Sequence, residues 1–136
     1  MNKPTINDVL HVEETGTRLN SKIYDALRNF APIISALFTD RTVGFYATDH
    51  EKFIMKIDPT NKVTFAQPGV NFAKGGAADY IMQSGQHIAV ELGEEVYGVP
   101  LRVATIPIFD DDTGEAIGTF GIVITRDTVE EMIQIS

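Results

Sequence analysis

The apolar and polar positions are organised around Val99–Asp127, where two runs rich in Val, Ile, Thr and Phe flank the acidic segment Asp110-Asp111-Asp112-Thr113-Gly114-Glu115. This is the signal of a β-hairpin with a loop longer than the tight two-residue kind. Carboxylates crowded between strands repel one another and stay hydrated, so the tip is expected at the surface. The two strands are expected to be long, antiparallel and central. Both faces are largely apolar, so the pattern does not fix which face points inward.

Upstream, residues 6–38 read as helical. Leu19, Ile23, Leu27 and Phe30 recur at spacings of four, four and three, with Tyr24 extending the same face. Pro32 is expected to close this helix or begin another, because it lacks an N–H and fits best in a first turn. Val43–Thr48 and Lys52–Ile57 form a second hairpin candidate around Asp49-His50-Glu51. Strict alternation puts Tyr46, Phe53 and Met55 on one face, and Lys52 and Lys56 on the other with Phe45 and Ile54. The connection from Asp58 to Gly76 is long and holds two Pro and three Gly, which marks a functional loop or a missed element. Lys62–Ala66 is a candidate short strand within it. Ala77–Ser84 reads as a short helix stopped by Gly85, and Ile88–Leu92 as a strand. A final helix is expected over Thr128–Ile135, capped by Asp127.

The predicted fold class is therefore α+β: a five-stranded antiparallel sheet with N-terminal helices, a short connecting helix and a C-terminal helix. Residues 1–40 form a helical packing or dimerisation segment in this division, and 41–136 the sheet domain.

Composition narrows the function classes. The chain has 136 residues, enough for one core, and no cysteine, which removes disulfides, thiolate metal sites and a Cys nucleophile. No apolar run reaches the roughly 20 residues of a membrane span, and no signal pattern opens the chain. A cytoplasmic location is expected, with no membrane insertion. The formal net charge of −8 disfavours nucleic acid as a partner.

Four stretches carry a resemblance to a family. They are Thr48-Asp49 with Glu51-Lys52-Phe53; Ala78–Gly85; Tyr97-Gly98-Val99-Pro100 leading into Ala104–Ile108 and Gly114–Gly118; and Arg126-Asp127-Thr128. Together they resemble the PAS-like (PAS/Cache-type) sensor domains of bacterial chemoreceptors and sensor kinases. The resemblance implies a five-stranded sheet, a preceding helix that often dimerises, and a small-molecule pocket between the sheet and its connecting loop and helices. It implies a role in signal transduction such as chemotaxis, a homodimer, and a downstream signalling protein or domain as partner.

The candidate ligand-binding residues are Tyr46, Met55, Tyr80, His87, Tyr97, Arg102 and Thr105. The tyrosines, Met55 and Thr105 offer an apolar lining with a few hydroxyls. Arg102 interrupts an apolar strand. It is either a clamp for an organic acid, using its planar guanidinium, or an edge residue that reaches solvent or pairs with Glu91, Glu94 or Glu95. His87 begins a strand beside the expected pocket and is a candidate haem or carboxylate ligand; no second axial ligand accompanies it, so no cofactor is assigned. The acids of the hairpin tip lack the ligand spacing of a calcium loop. No activated nucleophile or acid–base pair is evident, so catalysis is not expected. The alternatives are a ligand-free dimerisation or protein-interaction module built on the Leu19-Ile23-Leu27-Phe30 stripe, and a haem-based sensor.

Overall fold

A computed structural model of the chain describes residues 12–60, 63–94 and 100–125. In chain order they form β1 (Val12–Glu14), α1 (Lys22–Leu37), β2 (Val43–Thr48), β3 (Phe53–Ile57), α2 (Ala77–Ser84), β4 (Ile88–Leu92), β5 (Leu101–Phe109) and β6 (Ala116–Thr125). The strands make one antiparallel sheet in the order β1-β3-β2-β6-β5-β4.

The five-stranded fold with N-terminal helices is corrected by this arrangement. Among the described residues there are six strands, and part of the segment expected to be helical is the sixth. Val12, Glu13 and Glu14 pair with Ile57, Lys56 and Met55 along the edge of β3. Three residues with two glutamates carry no strand alternation of their own, and the pairing partner decides their conformation. The expected C-terminal helix lies outside the described residues.

Pro32 neither ends nor starts a helix. It sits buried inside α1, which runs on to Leu37. The continuation is held by tertiary packing: Ala31 is buried on the sheet, and the Ser35 hydroxyl donates to the carbonyl of Val43 at 2.6 Å. The expected short strand over Lys62–Ala66 is absent from its described part. Residues 63–66 turn, with Val63 and Ala66 fully buried.

Other expectations hold. β5 and β6 form the long hairpin, and α2 ends at Gly85, whose φ of 70° closes the helix in the left-handed region that glycine adopts without strain.

The sheet has a different cover on each face. On one face α1 packs over β2 and β3, burying Tyr24 and Ala31 against Phe45, Ala47, Met55, Ile57 and Phe120. The Tyr24 and Phe120 rings meet edge to face with centroids 6.5 Å apart. On the other face the 58–76 connection and α2 enclose a second cluster of Tyr46, Phe53, Val63, Ala66, Leu101, Val103 and Val123. The inward face of β5 that the sequence left open is thus Leu101, Val103 and Thr105, all buried, while Arg102 and Ile106 are exposed on the reverse.

One irregularity sets the parity of β3. Ala47 opposes Met55 and Thr48 opposes Phe53, so Ile54 is an extra residue in the ladder. Such a bulge reverses which face later residues occupy. Tyr46 and Phe53 therefore share a face, as strict alternation requires, but Met55 crosses to the α1 side. Lys56 joins the Tyr46 side, opposite its expected face. Its side chain is nearly buried, with Nζ 4.0 Å from Glu13 of β1.

Candidate functional site

The second cluster does not close completely. Between the sheet, the 58–76 connection and the start of α2 lies a cavity of about 410 Å³. Its floor is Tyr46 of β2, Phe53 of β3 and Val103 of β5, and its walls include Phe65 and Phe72 of the connection and Val90 of β4. A volume in this range suits a small organic molecule.

Tyr46 is fixed from two sides. It pairs with Gly121 of β6, which in turn pairs with Thr105 of β5, so the three residues form one row across three strands. A side chain at position 121 would occupy the space of the Tyr46 ring; glycine lets the ring lie flat on the sheet. The ring thereby spans β6, and its Oη is hydrogen-bonded to Thr105 Oγ1. Burial pushes the Tyr46 phenol above its ordinary range, and the bond to Thr105 opposes that rise. In the next row, Thr48 and Thr119 join their hydroxyls at 2.9 Å. The hydroxyls interrupting these apolar strands thus satisfy one another rather than facing the cavity.

The rings around the cavity are packed edge to face. Tyr46 meets Phe53 at 5.8 Å and 71°, and Phe65 at 5.5 Å and 79°. Phe53 meets Phe72 at 6.5 Å and 81°. This geometry sets the positive edge of one ring against the negative face of the next. The connection is held against β3 by backbone bonds: Phe53 N donates to Val70 O at 3.0 Å, and Gly69 N to Phe53 O at 2.8 Å. Phe72 N also donates to Glu51 O at 3.0 Å.

Of the residues singled out from the sequence, the structure brings Tyr46 and Thr105 together at this site. Met55 lies on the opposite face of the sheet, moved there by the bulge at Ile54. Tyr80 is half-exposed on α2, and its hydroxyl faces Gln86 at 3.5 Å. Tyr97 lies outside the described residues. His87 borders shallow grooves on the α1 side of β5, beside Ile106, and is not in the cavity. Arg102 also points to that side. It is half-exposed, with Nη1 3.3 Å from Glu91 Oε1. The pairing alternative is the one observed, and the acid clamp is corrected: the register of β5 turns the guanidinium away from the cavity.

Sequence reasoning missed Phe65, Phe72, Val103 and Gly121. The two phenylalanines carried a signal, because large rings in a Gly- and Pro-containing connection need somewhere to bury. Gly121 carried none beyond its position in a strand.

No group of three or more His, Asp or Glu among the described residues, the acidic hairpin tip included, is placed to hold a metal ion. Instead the tip docks on the start of α1. Asn20 Nδ2 donates to Asp110 Oδ1 at 3.1 Å and to Asp112 Oδ2 at 2.9 Å, and Asp111 N donates to Asn20 O at 2.9 Å. The backbone N–H of Thr113, then the Asn20 amide and the backbone N–H of Asp112, hold the Asp110 carboxyl below the usual carboxylate range.

The chain matches no protein-family model and no curated protein. No helix among the described residues is long and apolar enough to cross a membrane.

Proposed function

We propose that the chain is a small-molecule sensing module of bacterial signal transduction, in keeping with its resemblance to PAS-like sensor domains. The observation that carries this reading is the ring-lined cavity between the sheet and the 58–76 connection. Well-packed interiors leave few voids larger than a water molecule. A cavity of this size, floored by a sheet and walled by a loop anchored through a few backbone bonds, is suited to admit and enclose a ligand.

In this reading the β5–β6 hairpin would carry the signal from ligand to output. Val103 of β5 lines the cavity, and the tip of the same hairpin holds the start of α1. A ligand that favours one position of β5 over another can bias α1 by at most that preference. Native mass spectrometry of the purified protein tests the reading. Extra mass of a small organic molecule, lost on denaturation, is expected. The absence of bound mass, together with no thermal stabilisation by any member of a metabolite library, overturns it.

A homodimer is the second element of the proposal, supported by the outer face of α1. Ile23, Ala26, Phe30, Ile33 and Leu37 follow the alternating three-four spacing of a helix-pairing seam. Ile23 is 65% exposed, Phe30 62% and Leu37 70%. The seam lies on the flank of α1 away from Arg28, which is bound to Glu14 of the edge strand. Beside that flank, Ala104, Ile106 and Ile122 leave an apolar strip of sheet without a helical cover among the described residues. Helix and strip together offer a footprint on the order of 500 Å² per protomer, near the lower bound for a specific interface. The expected stripe of Leu19, Ile23, Leu27 and Phe30 is divided between the two roles: Leu19 and Leu27 pack inward, while Ile23 and Phe30 belong to the seam.

A further inference from the structure

Resting on the sensing reading and narrowing it, the geometry points to a flat, uncharged aromatic molecule of one or two rings as the ligand of the cavity.

Charge is the first ground. Among the described residues, those lining the cavity carry no ionic side chain, and Asn71 supplies the one amide. An ion entering such a site would shed its water without gaining a countercharge. Among the described residues, the cations nearest the cavity are turned elsewhere. Arg102 is on the reverse face with Glu91, and Lys56 Nζ is directed at Glu13. Lys52 and Lys74, next in sequence to lining residues Phe53 and Ala73, are exposed. There water and salt screen them.

Shape is the second ground. Phe65, Tyr46, Phe53 and Phe72 form an unbroken edge-to-face chain that bends around the cavity. Phe65 and Phe72 are only half-buried, so each leaves ring surface unfilled by the protein. A further flat ring continues the same pattern, whereas an aliphatic chain meets ring edges and faces indifferently. The Tyr46 hydroxyl is already engaged by Thr105, so the site selects by ring geometry more than by hydrogen bonding.

Titration of the full chain with 1-naphthol and 1-naphthoate at pH 7 tests this. The two probes share a ring system and differ in charge, and the protein has no Trp to obscure their emission. Saturable binding of 1-naphthol is expected, at least tenfold tighter than that of 1-naphthoate. Phe72→Ala is expected to weaken it at least fivefold; Phe65→Leu serves the same purpose if circular dichroism shows that Phe72→Ala does not fold. His87→Ala, in the grooves on the other face, should leave it unchanged. Equal or tighter binding of 1-naphthoate overturns the uncharged class while leaving a pocket ligand in place. Naphthol binding lost in His87→Ala and kept in Phe72→Ala moves the site to the other face and overturns both readings. Saturation by neither probe overturns the aromatic class, and bound mass alone then decides whether the cavity is a sensor site.

Discussion

The carboxylate of Asp111 accepts the backbone N–H of Lys22 at 2.9 Å, so a residue at the tip of the last hairpin caps the first turn of α1. Four N–H groups at a helix start have no partner within the helix, and the end carries partial positive charge. Ser21 meets another of them, its hydroxyl accepting from Tyr24 N at 3.0 Å. Ser21→Ala is expected to cost about 1 kcal/mol in urea unfolding, and Asp111→Ala about 0.5 kcal/mol. No change in midpoint for either substitution would show that α1 is held by its packing face alone.

Stability is expected to fall on the acid side below about pH 4. Glu14 is held below the ordinary range first by its hydrogen bonds to Arg28, at 2.6 and 2.9 Å, and Asp110 by the backbone of Thr113. A carboxyl whose folded pKa is depressed contributes fully above its unfolded pKa, about 4 for these groups, and loses the contribution as pH falls through the folded value. Thermal melts between pH 7 and pH 2.5 measure this. Glu14→Gln and Asp110→Asn should each flatten the acid limb, and an unchanged limb in both removes these two carboxyls as its cause.

On the alkaline side the sign is reversed. Burial, followed by the nearby Glu14 charge, pushes Tyr24 up to about 12. A phenol with a raised folded pKa stabilises the fold below its unfolded value near 10 and loses that contribution as pH climbs from there to the folded value. Ultraviolet titration of wild type and Tyr24→Phe should show one late-ionising phenol missing from the variant.

Gly121 and Tyr46 are expected to be coupled. Gly121→Ala drives a methyl into the Tyr46 ring and should destabilise by roughly 1–3 kcal/mol, as overpacking does. In a Tyr46→Ala background the clash with the ring is gone, and the cost of the same substitution should shrink to roughly a few tenths of a kcal/mol. Equal costs in both backgrounds would mean that β6 itself, and not the ring above it, resists a side chain there.

If the seam on α1 pairs two copies, Phe30→Glu together with Ile33→Glu should give a folded monomer. Light scattering after size exclusion reads the mass, and circular dichroism the fold. A wild-type monomer at 100 µM would remove the dimer.

Much of the architecture was legible because it is encoded locally. The β5–β6 hairpin shows in its two flanking runs, and α2 in a short amphipathic turn with a terminal glycine. What was not legible depends on pairing across distance. Val12–Glu14 becomes a strand because β3 has a free edge to accept it. Met55 left the cavity because one residue, Ile54, is extra in the ladder, and nothing in the sequence of β3 marks which residue that is. Arg102 was correctly seen as anomalous, yet its face followed from the register with β6, where it opposes Ile124. At the site, Tyr46 and Thr105 were chosen singly for their hydroxyls; that they lie in one row with Gly121 between them is a property of three strands at once.

The docking of Asp110–Asp112 onto Asn20 and Lys22 also bears on how the molecule can be engineered. An exposed, acidic, glycine-containing hairpin tip is the place where a peptide tag or a reporter domain is commonly spliced in without harm. Here that tip is a joint between distant parts of the chain, and an insertion between Asp110 and Thr113 would unseat a helix start about 90 residues earlier.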